Sequence, residues 1–138
     1  KALILEGIKS FKENRQPLTL AEMPVPSIAD EEILVKVSAC GVCHTELDEI
    51  EGRTPPPRFP VILGHQIVGN VVGRGARVKK FKPGDRVGVG WIYWACGKCP
   101  QCLAGNENLC ADFQATGRDA HGGQAAGQAE PGIVDYCA

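Results

Sequence analysis

Four closely spaced cysteines constrain the fold of this chain more than any other feature of its sequence. They follow the pattern C-x2-C-x2-C-x7-C and are Cys96, Cys99, Cys102 and Cys110. Zinc binds thiolates in a tetrahedron, and two-residue gaps let a tight turn present two sulfurs to one ion. The glycines and prolines in this loop disfavour helix and strand, so the ion itself would stabilise it. The pattern predicts a structural zinc site. The alternative, a pair of disulfides, needs an oxidising compartment.

Length and composition predict one domain with a real hydrophobic core. The chain has 138 residues, of which 43% are hydrophobic and 22% are charged. Its net charge is −1, without a long basic or acidic block, which disfavours nucleic acid and acidic lipid as partners. The apolar run from Ala2 to Leu5 is too short for a signal peptide, and no segment reaches the roughly 20 apolar residues of a membrane helix. We therefore expect a cytoplasmic protein with reduced thiols.

Most of the chain is predicted to form short strands. Five segments have strand-like apolar patterns with glycine or proline nearby, and these are 2–5, 18–23, 33–39, 66–73 and 86–91. The segment from Thr45 to Ile50 is predicted as a short helix that ends at Gly52. Seventeen glycines among short strands indicate a mostly β fold, a bent and partly open β-barrel. The zinc lobe, residues 91–113, would be an irregular insertion in it.

Cys43 and His65 form a second group of candidate metal ligands. They can meet if the intervening helix and proline-rich loop fold back, but a catalytic zinc normally has three protein ligands. From the residues alone, a buried apolar cysteine and a hydrogen-bonded core histidine are the favoured interpretation. Cys40 and Cys43 form a C-x2-C pair. Such a pair can serve as a redox pair or as half of a zinc knuckle. The strand pattern instead predicts that Cys40 is a small buried residue. Gly73 and Gly75 lack the third glycine of a dinucleotide-binding loop, so none is predicted there.

Three stretches together resemble the N-terminal, GroES-like catalytic domain of the zinc-containing medium-chain alcohol dehydrogenases. Gly41–Thr45 resembles the first zinc-ligand segment of that family, and Gly64–Gly69, with Gly75 and Val78, resembles its zinc signature. The cysteine-rich loop resembles its structural zinc lobe. The resemblance assigns residues 1–123 to this domain and leaves 124–138 as an atypical C-terminal tail.

The resemblance implies a role for each matching residue. Cys43 and His65 would bind the catalytic zinc, which polarises an alcohol oxygen as a Lewis acid before hydride passes to NAD or NADP. Thr45 would take the alcohol proton, and His44 would lie near the pyrophosphate of the dinucleotide. Glu46 would orient His65 by accepting the proton of its other ring nitrogen.

Two positions and the C-terminal region depart from the family pattern. Gln66 is neutral where the family carries glutamate, and Asp48 stands where many members have a proton-relaying histidine. The family continues past Gly123 into a third zinc ligand, for which Cys137 is the candidate here, and into a Rossmann domain. We therefore expect an alcohol dehydrogenase catalytic domain that is truncated before its cofactor domain, inactive alone and homo-oligomeric. The alternative is a stand-alone zinc-binding GroES-like module with a binding or structural role.

Overall fold

The computed structural model describes residues 1–118 and a strand at 133–137. In chain order, its elements are β1 Ala2–Ile4, β2 Thr19–Ala21, β3 Ile33–Gly41, α1 His44–Glu51, β4 Gln66–Arg74, β5 Arg86–Val89, β6 Ile92–Trp94, α2 Pro100–Leu103, a 3-10 helix Glu107–Leu109, β7 Gln114–Ala115 and β8 Ile133–Cys137. The five predicted strands and the predicted helix are confirmed, with ends that differ by one or two residues at most positions. Within these ranges, every helix is too short to cross a membrane.

The strands form three small sheets, which do not close into a barrel in the described part of the chain. β1 pairs with β2, β6 pairs with β7, and a four-stranded sheet has the order β5-β4-β3-β8. β3 runs antiparallel to β4 and parallel to β8. The predicted mostly β, partly open architecture is therefore confirmed.

The pairing of β3 with β4 determines where the two candidate ligands Cys43 and His65 lie. Gly41, at the end of β3, is opposite Gln66, at the start of β4. Antiparallel pairing brings the end of one strand next to the start of the other. Cys43 follows β3 and His65 precedes β4, so both lie just beyond the same end of this ladder.

Two clusters of buried apolar side chains hold these elements together. One joins β1, α1 and the loop before β4, and it consists of Leu5, Ile50 and Val61. The other joins β3 and β4, and it consists of Ile33, Val35 and Val71. Full burial of such a side chain stabilises a fold by about 1.5–3 kcal/mol. The first cluster fixes α1, and with it the segment that carries the candidate site.

The alternating burial of β3 is lost towards its C-terminal end. Val35 is buried, but Ala39 and Cys40 are exposed. The ladder with β4 is irregular after Leu34 and after Val37, and such an irregularity bends the strand and turns side chains away from their regular alternation. The prediction that Cys40 is a small buried residue is therefore wrong.

The strand β8 was not predicted from the sequence. It falls within 124–138, and its backbone pairs with that of β3, from Ile33–Ile133 to Val37–Cys137. The segment has the β-branched residues Ile133 and Val134. Two β-branched residues are too few to predict a strand when their neighbours are mostly alanine, glutamine and glycine.

Candidate metal centres

The four cysteines of the zinc lobe converge on one point. Their sulfurs lie within 4.8 Å of one another, and the Sγ atoms of Cys96 and Cys102 are 3.9 Å apart. Tetrahedral zinc with bonds of about 2.3 Å to sulfur places its sulfur ligands about 3.8 Å apart. The four thiols therefore fit one structural zinc ion.

Tight turns and one helical turn present these sulfurs. The N–H of Cys99 donates to Sγ of Cys96, and the N–H of Cys102 donates to Sγ of Cys99, both at 3.4 Å. Pro100 begins α2, where its fixed φ suits the helix and its missing N–H leaves no donor unpaired. Cys110 follows the 3-10 helix as its C-cap. Local structure alone therefore brings the four side chains to one side of the loop.

The surroundings shift the acidity of two of these thiols in opposite directions. Backbone N–H donors of Lys98 and Cys99 lower the pKa of Cys96 to about 6, because they stabilise its thiolate. Burial raises the pKa of Cys102 to about 12, because a charged sulfur is poorly solvated there. Ionised Cys102 therefore needs a cation beside it, and a metal ion at this cluster would supply one.

Cys43 and His65 lie next to each other at the end of the β3–β4 ladder. The distance from Sγ of Cys43 to Nε2 of His65 is 3.4 Å. Two ligands of one zinc ion, one sulfur and one nitrogen, are about 3.5 Å apart. Sγ of Cys43 also accepts the N–H of Thr45 at 3.4 Å. The distance between the two side chains fits a shared metal ion.

Glu46 connects the start of α1 to His65. Its Oε2 accepts the N–H of Cys43 at 2.6 Å, which completes a capping box at the N-terminus of α1. Its Oε1 is 2.8 Å from Nδ1 of His65, an ion-pair distance, and has no hydrogen-bond partner among the described residues. A carboxylate oxygen so close to Nδ1 favours the tautomer in which that nitrogen carries the ring proton. In that tautomer Nε2 is unprotonated and directed at Cys43. This is the form of imidazole that binds a metal.

Trp91 contacts the same imidazole from another side. The ring centroids of Trp91 and His65 are 4.5 Å apart, and the ring planes meet at 72°, an edge-to-face arrangement. The sequence predicts no role for Trp91 at this site, because no spacing rule links position 91 with position 65. Only the fold brings the two rings together.

The remaining predicted site residues lie around α1 and the start of β4. The side chain of His44 is 77% exposed, and its Nε2 is 3.6 Å from Oδ1 of Asp48. The same carboxylate oxygen accepts from Nε of Arg53 at 2.5 Å. Thr45 is half-buried in the first turn of α1, and Gln66 is exposed. The structure thus brings the two predicted catalytic ligands and Glu46 into contact, and it leaves His44 at the surface.

An apolar cavity of about 390 Å³ opens beside this centre. Glu46 lies on its wall, and most other lining side chains are apolar, among them Leu3, Leu20, Val42 and Leu47. Its volume lies within the usual range of small-molecule pockets. No third ligand of the catalytic zinc is predicted, and the side chain of Cys137, the less favoured substitute for it, lies outside the described residues.

Comparison with known proteins places the chain in one family. Residues 29–135 match the family model of the alcohol dehydrogenase GroES-like domain. The chain is 43% identical over 126 residues to an alcohol dehydrogenase of Geobacillus stearothermophilus, which covers 91% of this chain and 36% of that protein. It is 44% identical over 125 residues to an alcohol dehydrogenase of Rhizobium meliloti. That match covers 89% of this chain and 37% of the relative. The chain thus spans about a third of the length of these relatives.

Solved structures show the same relationship. A zinc-binding dehydrogenase of Sinorhizobium meliloti bound to NADP is 35% identical with a TM-score of 0.73, over 88% of this chain and 33% of that one. An NAD-dependent alcohol dehydrogenase is 31% identical with a TM-score of 0.76, over 88% and 34%. This chain therefore belongs to the zinc-containing alcohol dehydrogenase family and carries the GroES-like domain of that family.

Proposed function

We propose that this chain forms the zinc-binding catalytic domain of an enzyme that oxidises alcohols to aldehydes or ketones with NAD or NADP. The observation that supports this best is the run of contacts from Cys43 through His65 to Glu46, at 3.4 Å and 2.8 Å. The curated relatives described above are named alcohol dehydrogenases. Because the chain spans about a third of their length, we propose the activity for these residues joined to a nicotinamide-binding domain.

In this proposal Cys43 and His65 hold the catalytic zinc, and Glu46 keeps the imidazole in the metal-binding tautomer. A zinc ion held by these two residues would supply Lewis-acid polarisation of the alcohol oxygen. Thr45, one helical position beyond His44 and two beyond Cys43, would accept the alcohol proton on its hydroxyl oxygen and release its own hydroxyl proton to water. The apolar side chains that line the neighbouring cavity exclude water from the carbon end of the alcohol.

The exposed face of α1 would meet the dinucleotide. His44 is available to donate a hydrogen bond to the pyrophosphate, and Asp48 lies beside it at 3.6 Å. Asp48 is itself bound by Arg53, so a cationic guanidinium offsets its negative charge. We therefore propose that Asp48 orients His44 rather than passing the alcohol proton to solvent.

We also propose that the protein is a cytoplasmic homo-oligomer without a nucleic-acid partner. Cys43 and the four cysteines of the zinc lobe are thiols and not disulfides, as expected for a reducing compartment. Several large apolar side chains are exposed, including Leu20 and Val42 at 64% and 77%, and such surface favours association.

A domain exchange tests the proposed activity. The matching segment of the Geobacillus stearothermophilus alcohol dehydrogenase would be replaced by residues 1–118 of this chain, and primary and secondary alcohols would be assayed with NAD and with NADP. We expect alcohol-dependent reduction of the nicotinamide by the chimera. Cys43→Ser should abolish it, because serine oxygen is a poor zinc ligand at neutral pH.

Glu51→Gln is the control, since Glu51 lies on α1 but belongs to neither metal cluster and does not line the cavity. It should retain the turnover of the chimera. A folded, zinc-loaded chimera without turnover contradicts the proposed function, and so does turnover that survives Cys43→Ser.

A further inference from the structure

We propose that Thr116 is a positioning residue for His65 that acts through Trp91, so that order in the zinc lobe controls order at the second metal centre. The proposal rests on the proposed function, because His65 is one of the two ligands assigned there. It connects the two clusters of candidate metal ligands.

The contact with Glu46 does not by itself fix the imidazole of His65. A single contact at Nδ1, 2.8 Å from Oε1 of Glu46, permits the ring to swing about that point. The edge-to-face packing of Trp91, at 4.5 Å between centroids and 72° between planes, limits this swing. The direction of Nε2 towards Cys43 therefore depends on where the Trp91 ring lies.

Thr116 fixes the backbone on both sides of Trp91. Its N–H donates to the carbonyl of Trp91 at 2.9 Å, and its hydroxyl donates to the carbonyl of Gly90 at 2.8 Å. These carbonyls belong to the two peptide groups that flank Trp91, so its φ and ψ cannot change without loss of a bond. Thr116 is 3% exposed, so water does not compete for either bond.

The next residue packs the same segment against the peptide before His65. Gly117 has a φ of 74°, and a Cβ added there would lie 2.3 Å from the carbonyl oxygen of Gly64. Only glycine permits so close an approach. The dipeptide Thr116–Gly117 thus contacts the residue that precedes His65 and also the residue that packs on its ring.

The chain from Trp91 to Thr116 runs through the zinc lobe. It leaves through β6, passes the four cysteines and returns through β7, and the β6–β7 ladder has two paired positions. So short a ladder has little stability of its own. The lobe as a whole therefore helps to keep Thr116 within hydrogen-bond distance of the backbone around Trp91. Loss of order in the lobe would release Thr116 from Trp91 and let His65 turn.

Nuclear magnetic resonance of the histidine rings tests this directly in the 138-residue chain. The chain has three histidines, and single substitutions would assign their ring signals. Thr116→Val replaces the hydroxyl with a methyl group of similar size and should shift the His65 ring protons out of the ring current of Trp91, without moving those of His44. Thr116→Ser keeps the hydroxyl and should restore the wild-type position.

Thr19→Val is the matched control, because the Thr19 hydroxyl donates to Glu6 at the surface, 3.0 Å away, and it should leave His65 unmoved. A folded Thr116→Val chain with an unmoved His65 signal overturns the proposal. Cys102→Ser supplies a second variant that removes the lobe metal while leaving Thr116 intact. It should move the same signal, and an unmoved signal overturns the role of the lobe.

Cobalt binding separates this proposal from the proposed function. With zinc in the lobe, cobalt titrated into the second centre should bind about tenfold more weakly to Thr116→Val, as is typical for residues that orient a ligand. Thr116→Ser should recover the affinity. A wild-type chain that takes up no cobalt at Cys43 and His65 contradicts the proposed metal site, whereas the ring signals of His65 still decide on Thr116.

Discussion

At the scale of single residues, one carboxylate stabilises a helix and orients a candidate metal ligand. Glu46 accepts the N–H of Cys43 with one oxygen and contacts Nδ1 of His65 with the other. It is 4% exposed, so each of its oxygens is largely shielded from water. A substitution at this position therefore has two separable consequences, one for the stability of α1 and one for the tautomer of His65.

Glu46→Gln should weaken metal binding more than it weakens the fold. A side-chain amide carries one acceptor and one donor group. If its oxygen caps Cys43, its NH2 faces Nδ1 and moves the ring proton to Nε2, which then cannot bind a metal. We expect about 10- to 100-fold weaker cobalt binding in a titration followed by absorption.

Glu46→Ala should also lose about 1 kcal/mol of stability, because it removes the capping box. Glu51→Gln, on the same helix but away from His65, is the control for both measurements. Equal cobalt affinity for Glu46→Gln and wild type would rule out the orienting role.

Gly117→Ala should destabilise the fold more than Gly105→Ala. Both glycines have nearly the same left-handed φ, 74° and 78°, but a Cβ at Gly105 meets nothing within 4 Å. Gly105→Ala should therefore cost only the backbone strain of about 1 kcal/mol. Gly117→Ala adds a clash with the carbonyl of Gly64, which we expect to cost about 1–3 kcal/mol more. Urea unfolding of the two variants measures the difference, and equal midpoints would contradict it.

At the scale of elements, the sequence predicts what short-range patterns determine. The four cysteines converge because two-residue gaps and Pro100 make turns locally, and α1 ends at Gly52 because glycine adopts the left-handed cap there. The contact between Trp91 and His65 could not be predicted, because it depends on how β6–β7 sits against the start of β4. The exposure of Cys40 could not be predicted for a similar reason. The alternation of apolar residues along β3 does not indicate where its ladder with β4 becomes irregular.

Cys102→Ser should lose the metal of the lobe and the order of residues 91–113. Three thiolates and a hydroxyl hold zinc poorly, and the loop has little apolar core to replace the ion. Metal analysis should find the lobe zinc in wild type, with zinc–sulfur distances of about 2.3 Å by X-ray absorption. Cys40→Ser should retain it. Wild-type protein purified without chelators that contains no zinc would contradict the structural site.

At the scale of the whole molecule, the second metal centre is assembled from segments far apart in sequence. Cys43 and Glu46 begin α1, His65 precedes β4, and Trp91 and Thr116 flank the zinc lobe. Two protein ligands, Cys43 and His65, hold zinc more weakly than four do. We expect a chelator to strip this centre of the 138-residue chain well before it strips the lobe, which sequential release of zinc to a chromogenic chelator would measure. Simultaneous release would contradict the expectation.

The 138 residues by themselves should show no alcohol dehydrogenase activity. Hydride transfer requires a nicotinamide held within contact distance of the substrate carbon, and this positioning supplies much of the rate. The G-x-G at Gly73 and Gly75 ends β4 and leads on to β5 rather than to a helix, so it is not a phosphate-binding turn. An assay with NAD and NADP over several alcohols tests this. Turnover that disappears in Cys43→Ser would contradict it.

The same polypeptide should form dimers or larger species. The cavity beside the second centre is open and lined mostly by apolar side chains, and Leu20 and Val42 on its rim are largely exposed. Association removes such surface from water. Light scattering after size exclusion should show a mass above that of the 14.7 kDa chain, and Val42→Asp should lower it. A wild-type monomer at high concentration would contradict the expectation.

The spacing of the ligands along the chain sets an order of events when the protein meets zinc. The lobe sulfurs lie within one short loop, whose closure costs little chain entropy and needs no sheet. Cys43 and His65 come together only after β3 has paired with β4, and non-local pairing of this kind is slow. A full-length chain that refolds from denaturant in the presence of zinc can therefore fill the lobe before the ladder has formed. The second metal centre forms only when the β-ladder forms, so the order in which the two sites take up zinc follows the order of folding.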